Sequence, residues 1–321
     1  MHSFKFRWKP LGDSSVLALP QGPAGVISFW PARRIPFKMK QLIVNADDLG
    51  LTCGVNQGII RAHQGGILTS ATLMATGRAF DHAVALALAN PELGVGCHLV
   101  LVGGRAVTPA AEISSLVDPG GNLPSSVALL VARVSLGAVR PSEIERELRA
   151  QIEKIRRTGI EPTHVDTHKH THVHPVVMEA VGKVARDYGI KRVRNPIENL
   201  RDSWKGVGLS TRLVPAGVVR VIGRRFRGIS KRCGLVSPDH FLGLARTGEL
   251  GPEALRQMIE LLPQGTTEIM MHPGVCDGDL ARTGSRLQGQ RQLELDGLLD
   301  ADVKRTVEKE GIQLISYCGL N

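Results

Sequence analysis

Short apolar runs alternate with segments of helical spacing from Met39 onward, and this alternation limits the fold more than any other feature of the sequence. Apolar runs of this length that stop at turn residues are typical of buried strands. The predicted strands cover 41–46, 69–76, 93–102, 162–168, 190–196, 267–274 and 312–318.

The segments between these strands carry helix signals. Segment 141–159 begins with proline, has acidic residues early and basic residues late, and stops at a glycine. Residues 103–140 are predicted as an inserted loop region with a short helix. Such alternation implies a parallel sheet with helices outside it, but does not separate an open doubly wound sheet from a closed β/α barrel. The predicted helices cover 54–66, 79–91, 141–159, 175–189 and about 290–310.

The composition narrows the classes of function. With 321 residues, 42% of them hydrophobic, the chain can bury a full core, and an aromatic content of 4% argues against an RNA-stacking surface. No GxGxxG motif follows the first strand and no P-loop is present, so a nucleotide-binding fold has no support. Five cysteines without a CxxC pair indicate reduced thiols, and no apolar run has the length of a membrane span. We therefore expect a cytoplasmic protein.

The net charge of +10 suggests an anionic partner. Much of the excess is local, because segment 212–234 (RLVPAGVVRVIGRRFRGISKRCG) has seven Arg or Lys and no acidic residue. Apolar residues are interleaved with these charges. The segment is therefore predicted either as a solvated loop and helix or as a patch that lies on anionic lipid at the inner face of the membrane.

The first 38 residues differ from the rest of the chain. They show no periodicity and lack the uninterrupted apolar core of a signal peptide, whereas MKQLIVNADDLG at Met39 reads like a natural protein start. We predict 1–38 as a disordered leader or an over-extended start, with a real but floppy arm as the alternative. Residues 39–321 are predicted as one catalytic domain with a basic insert at about 200–247.

Polar side chains gather where the predicted strands end. Taken singly, a strand-end histidine is a common hydrogen-bonded structural residue, and a pair of aspartates can form a turn and cap a helix. Together, carboxylates, imidazoles and a guanidinium on one rim are typical of a metal hydrolase. The residues are Asp47, Asp48, His98, His164, Asp166, His168, Arg194 and His272.

The segment THVDTHKHTHVHP, residues 163–175, has five histidines and one aspartate at alternate positions. Side chains two apart on a strand lie about 6.6 Å from each other, so one ion with bonds of about 2 Å cannot bind the whole row. Because Pro175 begins a helix, the strand is predicted to stop near His168, the expected ligand. His164 and Asp166 are expected to support it or line the barrel interior. Three residues are expected in the following loop, facing substrate or solvent: His170, His172 and His174.

Four stretches together resemble the YdjC-like carbohydrate deacetylases: LIVNADDLGLTCGVNQGIIRAHQGGILTSATLMATG, GVGCHLVL, PTHVDTHKHTHVHP and TEIMMHPG. The resemblance covers nearly all of 39–321, and the basic insert with DHFLGLARTGEL looks closest to the branch associated with hopanoid biosynthesis. It implies a distorted β/α barrel related to the NodB-like polysaccharide deacetylases.

By the same resemblance, Asp47 is the general base and Arg194 orients it, while His272 is the acid. Two imidazoles and one carboxylate suit Zn²⁺, with Mg²⁺, Co²⁺ and Ni²⁺ left open. The implied ligands of this one divalent ion are Asp48, His98 and His168.

The remaining polar residues of the histidine-rich segment are expected to bind substrate or to support the ligands. They are His164, Asp166, His170 and His172. The sequence departs from the family pattern at His174, an additional imidazole to which no role is assigned.

These observations lead to the hypothesis of a metal-dependent N-deacetylase that acts on an N-acetylated amino sugar, with a hopanoid-linked or other glycoconjugate sugar as the expected substrate. Two alternatives stay open. One is a metal-dependent phosphoesterase that holds phosphate on its basic surface. The other is a non-catalytic protein that binds membrane or nucleic acid, although we expect no nucleic acid partner. The resemblance also suggests a homodimer, although no dimer interface can be recognised in the sequence.

Overall fold

Seven parallel strands form one sheet in the part of the chain that the computed structural model describes, residues 39–198 and 216–320. The strand order is β4-β3-β2-β1-β6-β5, and β7 pairs with β1. The predicted leader, residues 1–38, lies outside the described residues, as does part of the predicted basic insert. The strands are β1 (Lys40–Leu49), β2 (Ser70–Leu73), β3 (Gly94–Leu99), β4 (Val165–Thr167), β5 (His240–Leu242), β6 (Gly265–Met271) and β7 (Gln313–Leu314).

Helices connect and cover these strands. Helix α4 begins with a proline, whose fixed φ suits the first turn. Glu143 in its first turn and Lys154 and Arg156 in its last turn match the helix macrodipole, and one apolar stripe is buried. The helices are α1 (Cys53–Gly65), α2 (Phe80–Leu88), α3 (Val127–Ser135), α4 (Pro141–Arg156), α5 (Pro175–Asp187), α6 (Ala216–Arg232), α7 (Pro252–Glu260), α8 (Gly278–Ala281), α9 (Gly289–Leu299) and α10 (Ala301–Lys309).

The sheet curls into a distorted β/α barrel, which confirms the predicted fold class. Beyond the edge strand β4, single parallel bridges join Val165 to Val193 and Arg192 to Val236. Val236 lies four positions before His240, where the opposite edge strand β5 begins. These bridges continue the curl from one edge strand towards the other.

Alternate side chains of strand β1 pack on the two opposite faces of the sheet. Leu42 and Val44 belong to the large core that the sheet shares with the helices. Ile43, between them, packs instead with Tyr317 and Leu320. Because alternate residues of a strand point to opposite faces, Asp47 lies on the same face as Ile43. The side chain of Asp47, at the polar end of β1, therefore lies on the interior side of the barrel.

Three predicted elements differ from the structure. Segment 190–196 forms only isolated bridges, and 312–318 contains the two-residue strand β7 followed by a 3-10 helix, Tyr317–Gly319. The helix predicted near 290–310 is two helices. They separate at Asp300, which has an extended backbone and whose side chain accepts from the backbone N–H groups of residues 302 and 303 at the start of α10. A capping aspartate therefore ends one helix and begins the next.

Within the described ranges, no helix combines the length and the hydropathy that a membrane span requires.

Candidate metal centre

The carboxyl ends of three parallel strands bring the predicted ligands together. Asp48 lies at the end of β1 in a left-handed conformation, with φ of 68°, beside an irregularity in the pairing with β2. His98 is near the end of β3, and His168 directly follows β4. An aspartate tolerates the left-handed region better than most residues, so this backbone can turn sharply at the strand end.

Asp48, His98 and His168 form a compact cluster, which we call the ligand triad. Asp48 Oδ1 lies 3.5 Å from His98 Nε2 and 3.3 Å from His168 Nδ1, and these two nitrogens are 3.2 Å apart. Asp48 Oδ1 is buried and has no hydrogen-bond partner. A buried acceptor without a partner is costly unless something else, such as a cation, satisfies it.

The geometry of the ligand triad suits a small divalent ion. Two ligands bound at about 2.0–2.1 Å with a tetrahedral angle between them lie about 3.3 Å from each other. The three separations in the triad, 3.2, 3.3 and 3.5 Å, are close to that value. One carboxylate and two imidazoles also leave coordination positions for water and substrate, as catalytic zinc sites do.

A second cluster, the Arg194 cluster, consists of Arg194, Asp47, Asp166, Glu268 and Tyr317, all buried. Arg194 binds both oxygens of Asp47, at 2.6 and 2.7 Å, and contacts Asp166 Oδ2 at 2.7 Å and Glu268 Oε1 at 2.8 Å. Tyr317 donates its hydroxyl hydrogen to Glu268 Oε2 at 2.6 Å. One guanidinium thus makes charge-assisted contacts with carboxylates from three separate segments.

Asp166 links the two clusters. Its Oδ1 accepts from His98 Nδ1 at 2.7 Å, which leaves Nε2 of His98 directed at the ligand triad. Such a bond fixes the orientation and tautomer of a metal-binding histidine. Asp47, His98 and Asp166 also lie close enough to form a second possible ligand set, but Arg194 already contacts both of its carboxylates. The ligand triad is therefore the better candidate.

Charges around the site shift its pKa values strongly. Burial opposes the ionised form of Asp48, but Arg291 and His168 outweigh it and hold the pKa of Asp48 well below its usual range. Burial likewise opposes ionisation of Asp47, and Arg194 lowers its pKa. Burial disfavours the imidazolium of His98, but Asp166 raises the pKa of His98 to about 9. Without an ion, the site therefore holds a proton that a metal must displace.

His272, the predicted acid, directly follows β6 beside a buried glutamate. Its backbone N–H donates to Glu294 Oε2, which also lies 4.0 Å from His272 Nδ1. Burial lowers the pKa of His272 to about 4 and raises the pKa of Glu294 to about 7. His272 is therefore neutral at pH 7 in the resting protein, and an acid role requires that it gain a proton during the reaction.

The histidine-rich segment does not continue as a strand. Lys169 and His170 have positive φ values of 54° and 53°, and residues 168–173 form a distorted 3-10 helix. This turn breaks the alternation, and His172 is completely buried, with Nε2 donating to the carbonyl of Arg194 at 3.1 Å. The expectation that His172 faces solvent is therefore wrong. It supports the backbone of Arg194 instead.

The other three histidines of the segment lie in different surroundings. His164 is buried and stacks on the ring of Tyr317, with centroids 3.6 Å apart, so it lines the barrel interior as predicted. His170 is partly buried, with its ring edge against Phe241. His174 contacts the hydroxyl of Ser135 at 3.2 Å.

Sequence reasoning missed three charged residues of the site. Glu268 had a legible signal, since a glutamate in the apolar run TEIMM of β6 indicates a buried carboxylate. Arg291 and Glu294 had none, because α9 carries other polar residues around them. Arg291 donates from Nη2 to Asp48 Oδ2 at 2.6 Å across 243 positions of sequence.

Comparison with known proteins identifies a family and similar chains. The family model described as YdjC-like protein matches residues 41–309. A carbohydrate deacetylase of Geobacillus stearothermophilus is 38% identical over 86% of this chain and 96% of its own length. A chitooligosaccharide deacetylase of Serratia marcescens is 32% identical over 87% and 98%. A crystal structure from Enterococcus faecalis, described provisionally as a cellobiose-phosphate cleavage protein, superposes with a TM-score of 0.71 at 26% identity, covering 87% of this chain and 98% of that one.

Proposed function

We propose that this chain, which belongs to the YdjC-like protein family, is a metal-dependent hydrolase that removes the acetyl group from an N-acetylated amino sugar. The names of its relatives support sugar deacetylation. The observation that carries the proposal is the ligand triad, with its unpaired carboxylate oxygen, directly beside the buried carboxylate of Asp47. An acetamide is a poor electrophile, and a cation beside a base is one arrangement that promotes its hydrolysis.

Asp48, His98 and His168 would hold one divalent ion, with Zn²⁺ as the first choice for this donor set and Mg²⁺, Co²⁺ and Ni²⁺ as candidates. When bound, such an ion supplies Lewis-acid polarisation of the acetyl carbonyl and makes a water molecule more acidic.

Asp47 is proposed as the general base that removes a proton from the attacking water. Arg194 fixes the plane of the Asp47 carboxylate by binding both of its oxygens, and Asn45 donates to Oδ1 at 3.0 Å. A carboxylate has about four acceptor positions, so these bonds leave room for a water proton. Arg194 therefore orients the base and also reduces its proton affinity.

His272 is proposed as the group that gives a proton to the departing amine. The negative charge that develops during the reaction would favour its protonated form, which the resting pKa of about 4 does not. Glu294, 4.0 Å from Nδ1, offers a carboxylate partner for the imidazolium. General acid–base assistance of this kind typically contributes about 10²–10⁴-fold to the rate.

The test is to incubate the purified protein with Zn²⁺ or Co²⁺ and N-acetylglucosamine oligomers and to measure released acetate and free amine in equal amounts. Chelation should abolish the release and added ion should restore it. Acetate release that persists after complete metal removal would contradict metal dependence, and no release from any N-acetylated sugar would contradict the deacetylase proposal.

The phosphoesterase alternative has less support. Two-metal phosphoesterases need two sets of ligands that hold two metal ions about 3.5–4 Å apart. In the described part of the chain, the two candidate sets share His98, and Arg194 contacts both carboxylates of the second. A phosphate monoester substrate assayed in parallel decides this point, and phosphate release comparable with acetate release would favour the alternative.

We further propose that the substrate is carried on a lipid, with a hopanoid-linked sugar as the expected case, and that the protein works in the cytoplasm at the inner membrane face. Helix α6, in the basic segment 212–234, exposes Arg224, Arg225 and Arg227. Its Phe226 packs against His172, next to the segment that carries His168. A cationic helix at this place would bring the site close to anionic lipid.

Vesicle flotation tests this contact. Replacing Arg224, Arg225 and Arg227 with glutamine should reduce binding to vesicles that contain anionic lipid, whereas Arg282→Gln, in a different exposed segment, should not. Equal flotation of both variants would contradict the membrane proposal without affecting the deacetylase proposal. The homodimer stays a prediction that sedimentation can test.

A further inference from the structure

Arg291 makes a contact that differs from that of Arg194. It is buried, and its Nη2 donates to Oδ2 of Asp48 at 2.6 Å. The other oxygen, Oδ1, has no partner and faces the nitrogens of His98 and His168. Arg194 by contrast occupies both oxygens of Asp47. Arg291 therefore leaves Oδ1 of Asp48 available to bind a metal ion and occupies Oδ2, so that Oδ2 does not bind the same ion.

Arg291 itself is held in place. Its Nε donates to the carbonyl of Leu287 at 3.3 Å, and its own carbonyl accepts from the backbone N–H of Gly274 at 3.1 Å. A Cβ at position 274 would lie only 3.3 Å from Arg291 Cδ, so the glycine lets the loop after β6 pack closely on the arginine. The guanidinium therefore acts from a fixed position on α9.

We propose that Arg291 is a positioning residue that makes Asp48 a ligand through a single oxygen. The inference rests on the proposed metal site and extends it. Without Arg291, the carboxylate could rotate or bind the ion through both oxygens, which would use a coordination position that water or substrate needs. Groups that hydrogen-bond to metal ligands typically change metal affinity about 10–100-fold when they are removed.

The positive charge of Arg291, considered alone, predicts that its removal strengthens metal binding, whereas positioning predicts that it weakens binding. A guanidinium near the ion repels it, so its removal should tighten metal binding if repulsion is its main effect. Positioning instead predicts weaker binding after removal. The direction of the change therefore separates the two effects.

The experiment titrates Co²⁺ into the metal-free protein and records affinity and the visible d–d absorption, which reports coordination geometry independently of activity. Arg291→Met should weaken binding by about 10–100-fold and reduce the absorption of a four-coordinate ion. Arg291→Lys, which keeps the charge but not the planar fork, should show an intermediate loss. The matched control Arg305→Met changes an exposed arginine of α10 and should bind like the unaltered protein.

Unchanged or tighter Co²⁺ binding by Arg291→Met, whatever its spectrum, would overturn the proposal. Circular dichroism of the metal-free variants checks folding, and if Arg291→Met does not fold, the lysine variant decides by the same criteria. Failure of the unaltered protein to bind Co²⁺ would instead contradict the proposed metal site, so the two failures are distinguishable.

Discussion

Two adjacent aspartates at the end of β1 lie in opposite situations. Asp47 is bound through both oxygens to Arg194, within a cluster whose carboxylates all have partners inside the protein. Asp48 is bound through one oxygen to Arg291, and its second oxygen has no partner. The carboxylates of the Arg194 cluster thus have partners within the protein, whereas one carboxylate oxygen of the ligand triad has no hydrogen-bond partner. The difference indicates which aspartate binds an external cation and which acts beside it.

Asp48→Asn should have the largest effect, because it removes the anionic ligand that the triad needs. We expect a loss of more than about 100-fold in metal affinity and no measurable deacetylation. Asparagine tolerates the left-handed backbone at this position, so the fold should persist. Calorimetric metal titration with an activity assay measures both effects, and retained stoichiometric binding would place the ion elsewhere.

Asp47→Asn should separate turnover from binding. The variant keeps the ligand triad but lacks the proposed base, so we expect kcat to fall about 10²–10⁴-fold with metal content unchanged. Steady-state kinetics and metal analysis on the same sample make the comparison. An unchanged rate would rule out Asp47 as the base, and lost metal would show that the second ligand set binds the ion.

Arg194→Met should chiefly affect stability. It leaves the buried carboxylates of Asp47, Asp166 and Glu268 without their shared cation, and breaking such a network costs about 3–5 kcal/mol. Arg256→Met is the matched control, since this surface arginine also pairs with two glutamates but is screened by solvent and should cost far less stability. Urea unfolding measures both free energies of unfolding, and equal costs would refute the comparison.

Metal affinity should depend on pH through His98. The metal-free pKa of about 9 means that the imidazole is protonated below that pH, and bound metal requires the neutral ring. Apparent affinity should therefore rise about tenfold per pH unit between about pH 6 and 8.5, with about one proton released per ion. Calorimetry in buffers of different ionisation enthalpy counts this proton. Affinity that is flat across the range would contradict the assignment.

His174→Ala should have the smallest effect. This partly buried side chain contacts Ser135 and lies outside both clusters. We expect stability within about 1 kcal/mol of the original and turnover within about twofold. A larger loss of turnover, measured under the same assay conditions, would show that His174 contributes to catalysis although it lies outside both clusters.

The alternation in the sequence was sufficient to predict a parallel sheet and the rim of polar residues, whereas the barrel was implied by the family resemblance. Alternating strands and helices require a parallel sheet, and parallel strands collect their end residues at one edge. His168 illustrates this, since the prediction of a strand ending near it matches a strand that ends at Thr167. The family resemblance added the roles of Asp47 and Asp48, which periodicity alone does not distinguish.

Other features depended on contacts that no local pattern encodes. The left-handed turn at Lys169 and His170 redirects the segment, so alternation in sequence did not predict the burial of His172. Arg291 reaches Asp48 from a helix whose polar residues look like an ordinary solvated face. Its partner becomes evident only when the barrel brings α9 against the end of β1.

The most direct test is a crystal structure of the metal-loaded protein with anomalous diffraction measured at the metal edge. The account predicts one peak per chain, about 2.0–2.2 Å from Asp48 Oδ1, His98 Nε2 and His168 Nδ1, with Asp47 still bound to Arg194 and outside the coordination sphere. A peak between Asp47 and Asp166, or no peak near these histidines, would contradict it.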